Sequence, residues 1–364
     1  MKTVRLGDYV NIRTGKLDAN ASDENGDYPF FTCSIKPLRI SSYSYDCECV
    51  LVAGNGDLNV KYYNGKFDAY QRTYIIQTKD KSILDVKFLY YFMSKYIEIL
   101  RNQSIGGIIK YIKLSNLTDV NITIPDIDLQ KKYVKIIDLA KENVFHKQQQ
   151  LNLLDELGES LFYKYSEENE ITEMSEAIVS TKNGLSRRAQ DDYGDIVLKI
   201  PNIQPNLIKY DIVNRIKLSE NEKGKYKLRA GDLLLIRVNG NENYVGRCAV
   251  FEDKNEETYF NDHIIRMRLK NVNEKFVAYY LNSPLGKKEI LKNTKTSAGQ
   301  FTISKNGIEK IKLTLPPHAL QNEFAEKIEK IKELKEQFIK NLEYYEELYE
   351  TLLYKTFNAE LFVE

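Results

Sequence analysis

The apolar residues of this chain follow a helical spacing twice, in two long stretches that lie 191 residues apart. The first stretch follows Ile122-Thr123-Ile124-Pro125 and Leu129-Gln130, and the second follows Leu313-Thr314-Leu315-Pro316 and Leu320-Gln321. The apolar positions recur at steps of three and four, which predicts two helices of roughly 38 residues, or about five heptads each. In the first helix these positions are Tyr133, Ile137, Ala140, Val144, Leu151, Leu154, Leu161 and Tyr165. In the second they are Phe324, Ile328, Ile331, Phe338, Leu342, Tyr345, Tyr349 and Leu352.

The equal length and phase of the two stretches favour their pairing with each other as an antiparallel coiled coil. Lys147 and Gly158 interrupt the first pattern, and Lys335 interrupts the second. An ordinary helical bundle remains an alternative, because bundles carry similar apolar stripes. With an antiparallel pair, we expect Phe357 and Leu361-Phe362 to pack against the first globular segment.

The segments before the two helices are rich in short strand and turn signals, which predicts an α+β protein with two similar globular domains. We expect the first domain over residues 1–127, its helix over 128–170, the second domain over 171–318, and its helix and tail over 319–364. In the first domain the pattern predicts strands at 50–53, 74–76 and 120–124, a helix at 86–100, and a hairpin turn at Asn64-Gly65. The second domain repeats this plan loosely, since Met174-Ser175-Glu176 corresponds to Leu6-Gly7-Asp8.

The formal net charge of +1 hides an uneven distribution. The two globular segments carry +2 and +7, while the two helical stretches carry −3 and −5. Binding to a phosphate backbone requires local positive surface rather than a positive total, so the distribution is compatible with nucleic acid. Well-solvated acidic helices are the alternative explanation.

Several functional classes find no support in the sequence. No apolar run is long enough for a membrane span, and the start lacks the apolar core of a signal peptide, so we expect a cytoplasmic protein without membrane contact. The spacing of Cys33, Cys47, Cys49 and Cys248 fits neither a disulfide framework nor a zinc site, and we expect free buried thiols. No nucleophile–base pair, paired carboxylates or P-loop occurs, and Asp126 or Asp128 fits a helix N-cap better than a nuclease centre. The chain is therefore predicted to be non-catalytic and to bind no metal.

In the first domain, amide and basic side chains cluster around two glycines after a buried strand. Asn and Gln suit adenine, Arg and Lys suit guanine, and the glycines allow a close approach of the backbone to phosphates. A plain Gly-Asn-Asp turn is the alternative. The candidate DNA-binding residues are Asn55, Asp57, Asn59, Lys61, Tyr63, Lys66, Gln71, Arg72 and, near Gly106-Gly107, Lys110.

The second domain has a matching set of candidates. Three Asn and two Arg lie between positions 237 and 247, directly after a buried strand, and two further loops add basic and amide groups. The candidate DNA-binding residues are Arg187, Arg188, Arg237, Asn239, Asn241, Asn243, Arg247, Lys295 and Gln300.

These features resemble the DNA-specificity (S) subunit of a type I restriction–modification system over nearly the whole chain. The duplicated entrance to the helices carries most of the resemblance, and three strings add to it. These are Val4-Arg5-Leu6-Gly7-Asp8, the stretch from Gly65-Lys66-Phe67 to Arg72-Thr73-Tyr74, and the stretch from Leu235-Ile236-Arg237 to Val245-Gly246.

The resemblance implies that each domain is a target-recognition domain reading one half of a bipartite site in double-stranded DNA. The two helices would set the distance between the halves, and the site would be asymmetric because the domains differ. The implied partners are two adenine methyltransferase (M) subunits and a restriction (R) subunit. S-adenosylmethionine, ATP and Mg would belong to those partners, so no cofactor is expected on this chain.

Three alternatives stay open at this stage. The chain could serve a fused restriction–methylation enzyme, which neighbouring genes would reveal. It could be an enzyme with a cryptic site, or a protein–protein adaptor without a nucleic-acid role.

Overall fold

The structure, a computed structural model, describes residues 2–106, 110–166, 170–187, 191, 193–253 and 256–358. The chain forms two compact units, Met1–Gln150 with Phe338–Glu364, and Leu151–Gln337. Helices and strands are mixed along the chain, as expected for an α+β protein. None of the helices in the described ranges is long and apolar enough to cross a membrane.

The first unit is built on a six-stranded sheet in the order β2-β7-β5-β6-β3-β4. A separate strand at the start of the unit, β1, pairs antiparallel with β8. Its elements are β1 (Lys2–Arg5), β2 (Val10–Thr14), β3 (Tyr28–Phe31), β4 (Leu38–Ile40), β5 (Tyr45–Ala53), β6 (Val60–Ala69), β7 (Thr73–Thr78), α1 (Val86–Gln103), α2 (Ser115–Thr118), β8 (Asn121–Ile124) and the start of α3 (Ile127–Ser166). Single turns of 3-10 helix lie at Leu6–Asp8 and Ala19–Ala21.

The second unit contains a four-stranded sheet in the order β10-β19-β15-β17 and several smaller sheets. Its elements are β9 (Glu170–Glu173), α4 (Met174–Ala177), β10 (Ile178–Asn183), β11 (Asp195–Leu198), a 3-10 turn (Ile200–Asn202), β12 (Ile203–Gln204), β13 (Leu207–Ile208), β14 (Asn214–Ile216), α5 (Glu220–Tyr226), β15 (Leu233–Ile236), β16 (Val238–Asn239), β17 (Cys248–Val250), β18 (Thr258–Phe260), β19 (Ile264–Leu269), α6 (Glu274–Asn282), α7 (Pro284–Lys292), β20 (Thr294–Ser297), β21 (Gln300–Ile303), α8 (Lys305–Glu309), β22 (Lys312–Leu315) and the start of α9 (His318–Phe357).

The two units share one plan. Each opens with a strand that pairs antiparallel with the strand before the long helix: β1 with β8, and β9 with β22. A short helical turn follows at Leu6–Asp8 and at Met174–Ala177, as the repeat predicts. The glutamines of the repeated entrance motif, Gln130 and Gln321, are both buried.

The two long helices are 40 residues each and pair antiparallel, as predicted. In the first unit the Lys147 ammonium, in the middle of α3, lies 5.5 Å from the ring centre of Phe338, in the middle of α9. In the second unit the Phe324 ring, early in α9, lies 6.2 Å from the ring of Phe162, late in α3. Phe162 was not among the predicted seam positions, yet it is almost fully buried. Lys335, which interrupts the apolar pattern of α9, forms an ion pair with Asp155 of α3.

Several local predictions are confirmed. The helix predicted at 86–100 is α1, and Asp126 caps α3 by accepting a 3.0 Å hydrogen bond from the Leu129 N–H. Phe357 packs 5.2 Å from the Phe88 ring, while Leu361 and Phe362 lie outside the described residues. All four cysteines are free, although only Cys49 and Cys248 are fully buried.

The predicted hairpin at Asn64-Gly65 is wrong. Both residues lie in the middle of β6, where Asn64 pairs with Glu48 and Gly65 with Cys47. The strand continues because β6 pairs with β5 from Val60 to Phe67, and the rings of Tyr63 and Phe67 also pack, with centres 5.6 Å apart. Gly65 has a φ of +139°, a backbone conformation that favours glycine, so it accommodates local irregularity within the strand rather than a turn.

Candidate nucleic-acid interface

In the first unit, the segment after the buried strand β5 meets the loop that follows α1. The Ile112 N–H donates to the Gly54 oxygen at 3.0 Å, and the Gly56 N–H donates to the Lys110 oxygen at 2.9 Å. Ile105 and Tyr111 close the loop with two backbone hydrogen bonds. The glycine-rich turn and Lys110, which the sequence singled out separately, are therefore neighbours.

The second unit has the corresponding junction after β15. Here β16 pairs with β21, and β21 pairs with β20 to form a hairpin. The Ile303 N–H donates to the Arg237 oxygen at 2.9 Å, as Ile112 does to Gly54 in the first unit. The predicted sites at positions 237–239 and 294–300 thus form one small sheet.

The outer face of this hairpin carries two predicted residues. Lys295 pairs with Thr302 and Gln300 pairs with Ser297, so strand alternation puts all four on one face. Asn239 pairs with Phe301, so it lies on the opposite face of the hairpin, which Phe301 shares with the buried Ile303. Lys295 and Gln300 are exposed, whereas Asn239 is half-buried.

A polar network fixes the first unit's loop to the end of β3. The Cys33 thiol donates to Asn55 Oδ1 at 2.9 Å, and Asn59 Nδ2 donates to the Cys33 oxygen at 2.7 Å. Lys61 in turn donates to Asn59 Oδ1, and burial lowers the pKa of its ammonium. Asn55, Asn59 and Lys61 are half-buried, and these contacts give Asn59 in particular a role in holding the loop.

The remaining candidates of the first unit differ in exposure. Asp57, Lys66, Gln71, Arg72 and Lys110 are exposed, and Tyr63 is half-buried against Phe31. The Lys66 ammonium lies 4.8 Å from the Tyr43 ring centre, and a hydrogen bond with Tyr43 raises the pKa of Lys66. Asp57 lies 3.6 Å from the Arg101 guanidinium.

The Asn-rich loop of the second unit is ordered by its own side chains. Asn239 Oδ1 accepts from the Asn241 N–H, and Asn241 Oδ1 accepts from the Asn243 N–H, both at 2.9 Å. These are Asx turns, so the side-chain carbonyl groups shape the loop. Asn241 and Asn243 remain exposed.

Two arginines flank this loop. The Arg247 guanidinium stacks 3.9 Å from the Tyr244 ring centre and donates to the Asn243 oxygen at 3.2 Å. Arg237 is half-buried and donates to the Asp262 backbone oxygen at 3.3 Å. Arg187 is exposed and lies 3.7 Å from Glu222 at the start of α5. Arg188 lies outside the described residues.

Lys287 holds the same loop and was missed by the sequence reasoning. Its ammonium donates to the Glu242 oxygen at 2.5 Å and to the Val245 oxygen. Burial, followed by the neighbouring Arg247, lowers the pKa of Lys287 to about 8. A lysine in a helix over forty positions away gives no local sequence signal for such a contact. Within the described ranges, no group of three or more His, Cys, Asp or Glu side chains is placed to hold a metal.

Comparison with known proteins gives consistent matches. A family model described as "Type I restriction modification DNA specificity domain" matches residues 1–155 and 164–344. The type I restriction enzyme EcoDI specificity subunit of Escherichia coli is 43% identical over 124 residues, which cover 34% of this chain and 27% of that protein. The StySPI specificity subunit of Salmonella potsdam is 30% identical over 191 residues, covering 50% and 41%. The matched segments thus span less than half the length of these curated relatives.

Solved structures share the fold over the full length. The S subunit of a type I restriction–modification system from M. genitalium superposes with a TM-score of 0.62 at 16% identity, covering 98% of this chain and 96% of that chain. A chain from a study of assembly and conformational transition of the type I R-M system gives a TM-score of 0.55 at 14% identity, covering 99% and 98%. At these identities the likeness concerns the fold.

Proposed function

Because the chain belongs to the type I restriction modification DNA specificity family, we propose that it is a DNA-reading specificity subunit that directs adenine methylation and restriction by partner proteins. In this proposal each unit reads one half of a bipartite, asymmetric site in double-stranded DNA. The chain itself performs no catalysis.

The observation that carries the proposal is the junction found in both units. The segment after the central buried strand pairs with the loop or hairpin that precedes the closing strand, through equivalent hydrogen bonds at Gly54–Ile112 and Arg237–Ile303. The frame is the same, but the side chains on it differ: Gly54-Asn55-Gly56 in one unit and Arg237-Val238-Asn239 in the other. Variable loops on a constant scaffold are the usual basis of different binding specificities.

The chemistry of these loops suits base edges in the major groove. Exposed amides such as those of Gln71 and Gln300 match the donor and acceptor of adenine, and the Arg72 guanidinium matches guanine. Each good two-bond contact discriminates against a wrong base by about 1–3 kcal/mol. Two weakly binding units on one chain gain affinity together only when both half-sites are correctly spaced.

We further propose that two methyltransferase subunits and a restriction subunit bind this chain, and that S-adenosylmethionine, ATP and Mg act on those partners. The helix surface supports a protein partner, since Leu153 and Leu157 of α3 are 61% and 46% exposed. Exposed leucines grouped on a helix are typical of protein contact surfaces.

Mapping methylated adenines in cells with and without this gene tests the proposal. We expect one bipartite motif to lose its methylation when the gene is deleted and to regain it when the gene is restored. In vitro, the methyltransferase partner should methylate that motif only when this chain is added. Both strains must carry the partner genes. Identical methylation patterns with and without this gene would then contradict the proposed role.

A further inference from the structure

One side of the four-stranded sheet in the second unit carries a dense group of positive side chains. They lie outside the recognition loops, by which we mean the candidate DNA-binding segments at 237–247 and 294–300. We define this basic cluster as Lys182, Lys225, Arg229, Arg266, Arg268 and Lys305. Lys182 and Arg266 stand directly opposite each other in the pairing of β10 with β19. Like charges in this position destabilise a sheet.

The cluster is poorly neutralised. Asp232 is its buried carboxylate, and both of its oxygens bond to the Arg268 guanidinium, at 2.6 and 3.3 Å. In the part of the chain that the structure describes, no carboxylate oxygen lies within ion-pair distance of the other five members. Burial, followed by the field of Arg266, Lys225, Lys305 and Arg268, lowers the pKa of Lys182.

Arg266 is the most unusual member, because it is only 7% exposed. Its Nη1 reaches the Lys227 backbone oxygen at 3.5 Å, and its Nε has no hydrogen-bond partner among the described residues. A buried guanidinium with so few partners is costly to the fold, and such violations are expected at functional sites.

The first unit shows that the fold does not require a cation at this position. The Gly15 N–H donates to the Thr73 oxygen, and the Gly184 N–H donates to the Ile264 oxygen, so these pairs are equivalent. Counting two residues along each strand makes Ile75 the counterpart of Arg266. Ile75 is fully buried.

The rim of the cluster is accessible and lies beside the recognition loops along the chain. Lys225, Arg229 and Lys305 are exposed. Lys305 follows the hairpin that carries Lys295 and Gln300, and its ammonium donates to the Thr181 oxygen at 3.1 Å, one residue before Lys182. β10 then leads directly into the loop that carries Arg187.

We propose that the basic cluster binds the phosphodiester backbone of DNA next to the half-site read by the second unit. Lys182, Lys225 and Lys305 contact phosphate oxygens, and Arg266 beneath them adds fixed positive potential. The inference rests on the proposed function, since it names the part of this unit that holds the duplex rather than reads it.

Salt-dependent binding of the full-length chain to short duplexes of mixed sequence tests this site without knowledge of the target. Neutralising the three proposed phosphate-contacting lysines in the triple variant Lys182→Gln, Lys225→Gln, Lys305→Gln should reduce the slope of log affinity against log salt by about 0.9 for each lost phosphate contact. Each lost contact should make the fall in affinity between 50 and 200 mM salt smaller by a factor of about three to four. The effect should be equal on all duplexes. The matched control removes three exposed lysines of the same unit: Lys288→Gln, Lys310→Gln and Lys330→Gln.

Arg266→Ile provides an independent variant, because it installs the residue that the first unit already accommodates. It should keep the circular dichroism spectrum and still weaken binding at low salt. An unchanged salt slope in the triple variant, or a loss restricted to particular sequences, would overturn the phosphate site. So would intact DNA binding by both variants with lost retention of the methyltransferase partner, since that result would assign the cluster to an acidic protein surface. If the unmodified chain binds no duplex even at the lowest salt, the proposed function itself fails.

Discussion

The side-chain oxygen of Gln130 accepts a 2.9 Å hydrogen bond from the backbone N–H of Asp85, the residue that caps α1. The same amide donates at 2.8 Å to the backbone oxygens of Ile83 and Pro125. Gln321 repeats this arrangement in the second unit, where it accepts from the Asn273 N–H at 2.9 Å. The glutamine thus ties the first turn of each long helix to the helix cap of its own unit.

Replacement of Gln130 by Ala should destabilise the first unit. The change leaves one partly buried N–H and two carbonyl oxygens without this partner, and we expect the free energy of unfolding to fall by about 2 kcal/mol. Chemical denaturation followed by circular dichroism measures the change. Gln149→Ala, on an exposed turn of α3, is the matched control and should leave stability unchanged. Equal stability of the two variants would contradict the structural role of the buried amide.

Phe324→Ala should destabilise the second unit, where α9 packs against α3 and α6. The Phe324 ring is fully buried, 6.2 Å from the ring centre of Phe162 in α3 and 5.2 Å from those of Phe276 and Tyr279 in α6. Truncation of a buried Phe costs about 3–5 kcal/mol, whereas Phe145→Ala, at a 58% exposed position, should cost about 0.5 kcal/mol at most. Thermal unfolding of both variants measures the difference. A small effect at Phe324 would show that its packing against α3 and α6 does not stabilise the second unit.

Asn239→Asp should change recognition of one half-site only. The carboxylate keeps an acceptor for the Asn241 N–H, so the loop turn is preserved, but the amide donor is lost. Arg237→Lys similarly keeps the charge and loses the planar fork that suits guanine. We expect discrimination at a contacted base pair to fall by about 1–3 kcal/mol, measured as methylation of single-base variants by the assembled complex. Equal weakening on all DNA, whatever the base pair, would mean that these residues only contact phosphate.

A matched insertion of seven residues in α3 and α9 should alter the preferred spacing between the half-sites. Seven helical residues add about 10.5 Å, which corresponds to about three base pairs of duplex at 3.4 Å each. The half-site sequences should stay the same, because the recognition loops are untouched. Sequencing of methylated sites in cells that carry the variant tests both expectations. Unchanged spacing would exclude a measuring role for the helices.

Lys287 should make the stability of the second unit depend on pH in the alkaline range. Its pKa is lowered to about 8 in the folded chain, below the unfolded value of about 10.4, so the unfolded state binds more protons between these limits. The contribution of Lys287 to stability therefore rises from about pH 8 to about pH 10.4 and is lost again as the pH falls. Arg247, Glu242 and Cys248 face the ammonium and also affect its titration.

The difference between wild type and Lys287→Met isolates this contribution. Denaturation at several pH values should show the wild type gaining on the variant as pH rises through this window. A constant difference would place the folded pKa of Lys287 near its ordinary value.

Long, periodic patterns were the most predictable part of the fold. The heptad spacing and the repeated Pro-x-x-x-Leu-Gln entrance predicted two helices of equal length and their pairing, because a long apolar stripe has few other ways to be buried. The hairpin at Asn64-Gly65 failed because the turn signal is local, whereas β6 is stabilised by pairing with β5, which is distant information in the sequence.

The candidate site was predictable in outline and not in its contacts. Residue type and loop position marked Arg237, Asn239 and Lys295, and the structure brings these loops together. Sequence alone could not separate residues that shape a loop, such as Asn59, from residues that face outwards, such as Gln300. Arg266 was missed because the sequence of β19 does not show which of its two arginines is buried or which cations lie beside it.

The buried amides of Gln130 and Gln321 also restrict torsion. A helix held by one amide that bonds to its own cap and to the body of its unit cannot turn about its long axis or slide without breaking those bonds. The globular part of each unit therefore has a fixed rotational orientation about the axis of its own long helix. An insertion in a long helix that does not correspond to a whole number of helical turns would rotate the attached candidate DNA-binding loops about the helix axis. It would also displace them along that axis.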